Sequence, residues 1–505
     1  MFYLASTPLL ANSEEISLED SDNNGLLEIH TLEELTSLQL DSGTGFSRLL
    51  NDGFFNGFEL KNDMDLTGIN WTPIKEFNAT FNGNNHIISN LSINLPEISK
   101  VGLFGSVGEV IIKNLILNNV HVIGKNYVGG LVGFSKGSTL TRSASISNIT
   151  IQGHVQGQSD IGGLVGQSDL TDITAVRVVS TIRGTFTLGS IAGSFQRGTM
   201  NTSSGNATIT YPGLNSWVIG GLIGYAWDCQ ILHSSFMGEV LGGTTVGGLI
   251  GYLDNCNVKQ TYSLATVKGD LRVGGLIGHA RSSSTENTIL SESYASGELI
   301  GALVHNHENV GGLIGFNEDE HYIVFDSYFD IAHSDGLLHD RDKYRVSTSE
   351  LKCADDVNPC QLFMSWQNNV WDFGSIDDYP TLIPEEEPSC LPEHLFNDQG
   401  ICVENGEAPT EEEPDKEDPT DEEPDNEQPQ ADNPDDNSGD TGKNGKADID
   451  DSLSGGSSGG SVSLGFIFFT LLISYRKTNF TRRSLQFKLR RHCQYSPNPP
   501  NCTAS

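Results

Sequence analysis

Apolar positions along this chain fall in short runs instead of at a sustained helical period. Segments such as Thr261-Tyr-Ser-Leu-Ala-Thr-Val267 and Ser293-Tyr-Ala-Ser-Gly-Glu-Leu299 are rich in β-branched and aromatic residues with rough alternation, and Gly, Asn and Asp punctuate them. Alternation of that kind between turn formers predicts short strands. Between the runs stands a six-residue phrase, Val/Ile-Gly-Gly-Leu-Val/Ile-Gly. It occurs at Val128–Gly133, Ile161–Gly166, Ile219–Gly224, Val246–Gly251, Val273–Gly278 and Val310–Gly315, with a worn copy at Leu188–Gly193 and a shortened one at Val101–Gly105. The first glycines of the paired copies sit at 129, 162, 189, 220, 247, 274 and 311, so the steps are 33, 27, 31, 27, 27 and 37 residues.

A step near 27 is too short for two packed helices and their turns. Several short strands per unit, stacked on the next unit, predict an all-β, right-handed β-solenoid of the parallel β-helix kind. One unit cannot bury its apolar face alone, whereas a stack can. In the phrase, Leu and the β-branched residue are expected to fill the coil interior. Gly is expected to supply turns at positive φ and close backbone stacking.

The flanks break the pattern. Residues 16–100 read as a cap and first coils. Within them Leu32–Leu38 has helical spacing, with Thr31 as N-cap and Glu34 three residues on. Residues 101–330 read as the repeat solenoid and 331–403 as a C-terminal cap, where Trp366, Trp371, Phe373 and Tyr379 are expected to cover the open coil end. Residues 404–451 hold 20 acidic residues and three Lys with no apolar period, which predicts an extended, disordered spacer. Residues 452–483 carry Gly455, Gly456, Gly459 and Gly460, then an apolar run from Val462 to Tyr475, then Arg476, Lys477, Arg482 and Arg483. As a short helix that run spans about 21 Å, less than the roughly 30 Å of a bilayer core. Residues 484–505 fit none of these readings. Residues 1–15 resemble the apolar half of a secretory signal peptide without its basic start.

Charge and cysteine usage refine the picture. The net charge is −37, which repels phosphate backbones and argues against nucleic-acid binding. Eight Cys contain no Cys-x-x-Cys, so zinc ribbons and redox pairs have no support. Cys229 and Cys256 each lie nine residues past a phrase glycine, at 220 and 247. Stacked strands are about 4.8 Å apart, within reach of a disulfide, so a Cys229–Cys256 bridge between adjacent coils is expected. Cys353 with Cys360, and Cys390 with Cys402, would close local loops.

The phrases, with both flanks, resemble the GLUG-motif repeats of bacterial surface proteins, from about Gly25 to Leu382. The Gly/Ser stretch, short apolar run and basic cluster resemble a GlyGly-CTERM sorting signal. Together these resemblances imply a β-rich protein at the outer surface of a Gram-negative bacterium. They also imply processing near Gly455–Gly460 by a rhomboid-like protease, with membrane association only through the C-terminal segment.

Candidate chemistry is sparse. Some proteins with GLUG repeats are zinc peptidases, but no His-Glu-x-x-His occurs; His305 and His307 read as turn residues. Asp20, Asp22 and Asn24, followed by Gly25, have the spacing of the first half of a calcium loop, and Glu28 could complete it. Calcium is therefore the one cofactor considered, and none is required. Asp63/Asp65 and Asp319/Glu320 are carboxylate pairs of the sort a polysaccharide-active enzyme needs, though on a solenoid rim they read as solvated. The expectation is a non-enzymatic, adhesin-like surface module that contacts a carbohydrate or another cell surface. A structural envelope component is the alternative, and a polysaccharide-active β-helix enzyme a more distant one.

Overall fold

A computed structural model describes residues 18–39, 55–139, 143–211, 218–283, 288–301, 309–318, 322–333, 344–353, 361–374 and 378–383, and the backbone of two short strands, His394–Phe396 and Cys402–Glu404. The segments 405–451, 455–460 and 462–475 lie outside the described residues, as do Cys360, Cys390, His305, His307, Asp319 and Glu320. Among the described residues, no helix is long and apolar enough to cross a membrane.

The chain winds into a β-solenoid of parallel strands. A nine-stranded sheet runs from Ile74–Phe77 to Ile314–Asn317, and a seven-stranded sheet from Asn126–Gly129 to Val310–Gly311. Most of the remaining strands join a third sheet, whose longest members, Ile111–Ile123, Ala144–Gln156 and Thr171–Arg183, bend across two faces, while Trp371–Asp372 with Thr381–Leu382 and His394–Phe396 with Cys402–Glu404 form separate antiparallel pairs. Strand pairs keep the phrase in strict register: Val128 lies over Ile161, then Leu188, Ile219, Val246, Val273 and Val310. Leu131, Leu164, Ile191, Leu222, Leu249, Leu276 and Leu313 form a fully buried stack beside them. Each such side chain gains about 1.5–3 kcal/mol on burial, so a narrow column suffices when every coil contributes to it.

The unequal steps do not disturb this register. The added residues fall between strands: after Lys136, after Thr210, and after Arg281 and Gly301.

The phrase glycines do one of the two jobs expected of them, close backbone stacking, and not the other. None of them adopts a left-handed φ. They are small because neighbouring backbone lies where a Cβ would go. A Cβ on Gly221 would sit 2.1 Å from the Gly248 carbonyl oxygen and 2.3 Å from the Phe236 ring. The left-handed turns fall elsewhere, on a vertical row that includes Asn114, Asn148, Ala175, Thr202, His233 and Gln260.

The N-terminal cap has the predicted helix, Leu32–Ser37, with a complete Thr31/Glu34 capping box. At the other end the aromatic segment departs from expectation. Strands Tyr322–Phe325 and Tyr328–Asp330 still stack in the solenoid. Trp366, Trp371 and Tyr379 lie along the outward side of the last coils, from Tyr262 to Tyr328, instead of closing the open end. Their partners are Tyr262, Tyr294 and Tyr328, which alternate with core-facing neighbours and so project outward. An exposed row of stacked tyrosines is apolar surface that must be covered, and this segment covers it. Tyr379 donates to Asp330 Oδ2 at 2.9 Å, and Trp366 Nε1 donates to the Asp326 carbonyl at 3.2 Å.

Candidate functional site

The predicted disulfide is formed. Cys229 and Cys256 occupy the same position on adjacent coils, with Cα atoms 4.5 Å apart, and both are buried. Cys353 is also disulfide-bonded. Cys402 lies on a short antiparallel strand opposite Phe396.

The acidic N-terminal loop folds around itself. Asp20 accepts hydrogen bonds from the backbone N–H groups of Asn24 and Gly25, and Asn24 also bonds Asp22. Asp22 and Glu28 meet Glu59, which was not foreseen, with carboxylate oxygens within 4.8 Å of one another. Glu28 and Glu59 are ladder partners on the first two coils, and both are buried. Lys61 supplies the counter-charge. Its Nζ lies 2.7 Å from Glu59, 3.0 Å from Asp22 and 3.3 Å from Glu28. The Ser21 hydroxyl, helped by His30 and Lys61, pushes the Glu28 carboxyl down to about 2. The Glu59 carboxylate, with Asp22 and Glu28, holds the Lys61 ammonium charged to higher pH.

Asp63 and Asp65 are each engaged by neighbouring groups of the fold. Asp63 accepts from the Ile87 N–H at 2.9 Å and meets His86 Nδ1 at 2.9 Å. Asp65 accepts from the Thr67 backbone and hydroxyl and from Asn90. Both brace turns.

An outward aromatic stack runs up the nine-stranded sheet through Tyr225, Tyr252, His279 and Phe316. Ring centroids lie 5.4, 4.5 and 5.1 Å apart, and Arg272 covers Phe316 at 4.7 Å. Burial pushes the Tyr225 hydroxyl up to about 12. Tyr225 and Tyr252 stack, and the other two contacts are edge-to-face, with Arg272 over Phe316, so the rings are largely engaged with one another.

The third sheet carries a groove of about 460 Å³. It is lined by Asn118, Asn119, Gln152, Gly153, Val179, Ser180, Thr181, Asn206, Ala207, Thr208 and Gly238. It crosses five strands, Ile111–Ile123, Ala144–Gln156, Thr171–Arg183, Ser204–Thr210 and Ser235–Leu241. Two outward rows form its walls. One runs Gln152, Val179, Asn206 and Met237; the other runs His121, His154, Thr181, Thr208 and Glu239. The row between them, Val120, Gly153, Ser180, Ala207 and Gly238, faces the interior, so the floor is backbone. There the strands bend, and Gly238 takes φ +117 with no space for a Cβ, the Ala207 carbonyl oxygen being 2.2 Å away. His121 and His154 stack at the rim, centroids 5.4 Å apart. Beyond Met237 the same face passes under the aromatic segment, against which Leu264 packs. Sequence reasoning missed this groove, and the row of small residues at its bend was the available signal.

No family model matches this chain. Over 88 residues it is 41% identical to halomucin of Haloquadratum walsbyi (strain DSM 16790 / HBSQ001), a stretch covering 17% of this chain and 1% of halomucin. A solved structure of a candidate immunoglobulin A1 protease from Bacteroides ovatus is 16% identical and matches 72% of this chain and 93% of that one. Its TM-score of 0.35 supports no argument about fold or activity.

Proposed function

We propose that this β-solenoid is a surface-displayed or secreted, adhesin-like binding module that works without catalysis. One observation carries the reading: a groove spanning five coils is lined mainly by amide, hydroxyl and small side chains, with Glu239 at the end of one wall row, in a chain of net charge −37. Cleavage of a glycosidic bond by acid and base takes two carboxyl groups across that bond. The groove walls offer one, Glu239, and not the pair, so they are suited to holding a ligand. The similarity to halomucin, the resemblance to GLUG repeats and the resemblance of the C-terminus to a GlyGly-CTERM sorting signal support the surface location. Calcium at the Asp20–Glu28 loop is a separate proposal. Heat on calcium addition that disappears in Asp22→Asn supports it, and no heat removes it.

The test is to label intact cells with antibody against the repeat region and to incubate the purified full-length chain with cell envelopes. Saturable retention is expected together with external labelling. Labelling only after permeabilisation would defeat the surface reading. External labelling without any retention would favour an envelope component that holds the layer together and has no specific ligand.

A further inference from the structure

The chemistry of the groove narrows what it can hold, on the premise that the protein is a binding module. Its walls present carboxamides from Asn118, Asn119, Gln152 and Asn206 and hydroxyls from Thr181 and Thr208, with the His121 and His154 rings at one end of a wall row and Glu239 at the other. Carboxamides and hydroxyls donate and accept hydrogen bonds without charge. No Lys or Arg lines the groove, and the strongly negative chain repels a polyanion before contact. No Phe, Tyr or Trp lines it either, so an apolar peptide would find no anchor of the usual kind. A polymer with hydroxyls along its whole length satisfies such walls.

The spacing agrees. Wall positions repeat once per coil, about 4.8 Å, close to the advance of an extended pyranose chain per sugar. Five strands give four such steps, roughly 19 Å. At the far end Met237, 40% exposed, offers an apolar surface suited to the C–H face of a sugar. Past it, Leu264 and Tyr262 lie against the aromatic segment, so the groove stops there.

We propose that the groove binds a linear, uncharged polysaccharide laid along the solenoid axis, about one sugar per coil, its path ended by the Trp366–Trp371–Tyr379 segment. Calorimetry on the full-length chain tests this with cello-, manno-, xylo- and N-acetylchito-oligosaccharides from dimer to octamer. Oligogalacturonate and a sulfated glucan form the anionic arm. Binding of at least one neutral series is expected, tightening with length to about five sugars and then levelling off. Asn206→Trp fills the groove from an exposed position and should weaken binding roughly tenfold or more. Gln230→Trp, on an outward row away from the groove, should leave it unchanged. Failure of every neutral series, equal binding of the anionic polymers, or full binding by Asn206→Trp would each overturn the proposal. Cell-envelope retention separates the two readings. If envelopes retain Asn206→Trp as well as the parent, the groove assignment falls and the binding module stands. If envelopes retain neither protein, both fall.

Discussion

The early and late coils share one backbone and solve its problems with different side chains. At the left-handed turn the early coils use asparagine and then Ala175. Asn148 Nδ2 donates to Asn114 Oδ1 at 2.9 Å, and Asn114 Nδ2 donates to Asn82 Oδ1 at 3.1 Å. The next residue is aliphatic and buried there: Leu115, Ile149, Val176. In the late coils the turn residues are Thr202, His233, Gln260, Glu292 and Asp326, and the next position is a hydroxyl. Ser203, Ser234, Thr261, Ser293 and Ser327 make a buried ladder in which one hydroxyl accepts from the backbone of the coil before it, as Ser234 Oγ does from Ser203 N at 3.2 Å. The outward face changes later along the stack: it is open and polar through Ser235–Leu241, where the hydroxyl ladder has already begun, and is sealed by aromatic rings from Tyr262 onward. The turn geometry is therefore imposed by stacking, and several chemistries can meet it provided that each buried donor finds a partner.

The strongest way to break this contrast is to unseal the late face. Trp371→Ala empties a fully buried site and should cost about 3–5 kcal/mol in docking of the 344–383 segment. Early protease cleavage within that segment would report it, and unchanged cleavage would show that the seal does not depend on this ring. Next is the covalent tie of the late coils. Replacing Cys229 and Cys256 by Ser opens a link spanning 27 residues and should lower stability by about 3–4 kcal/mol. Denaturant midpoints of parent and variant measure this, and reduction of the parent should reproduce it.

A smaller effect sharpens the comparison itself. Ser234→Ala leaves the Ser203 N–H without its hydroxyl acceptor and should cost about 1–3 kcal/mol. Ile149→Ser should not gain what Ser234 provides, because its ladder neighbours Leu115 and Val176 are apolar. Equal costs for serine and alanine at position 149 would support that; a serine that rescued stability would contradict it. The smallest effect is pH dependence at the groove rim. Burial, then His121 and Arg183, lower the pKa of His154 below its ordinary value of 6.5. The folded state thus binds the proton less readily than the unfolded chain. Stability is full above about 6.5 and declines as pH falls below it. His154→Gln should flatten that decline between pH 7 and 5, and an unchanged slope would assign the dependence to other groups.

Much of the fold was legible because its cause is local and repeated. The phrase marks the interior column, and equal offsets from Gly220 and Gly247 placed Cys229 over Cys256. The Thr31/Glu34 spacing likewise marked its helix. What escaped depends on features with no shared residue type or no local cause. The turn row holds Asn, Ala, Thr, His, Gln, Glu and Asp in succession, so no pattern exposes it. The groove arises from a bend at Gly153 and Gly238 whose neighbours differ from coil to coil. Lys61 reaches Glu28 only because the second coil lies on the first. The aromatic segment was recognisable as a cover, but what it covers was set by the outward tyrosines, which are ordinary strand residues in the sequence.

The separation between constant register and variable step has an evolutionary consequence. Val310 lies over Val273 although ten more residues separate them than separate Val273 from Val246. Insertions between strands and the interior column can therefore change independently. A lineage can lengthen or rewrite what stands between two strands without compensating substitutions in the core, and it can lengthen the column by duplicating one coil.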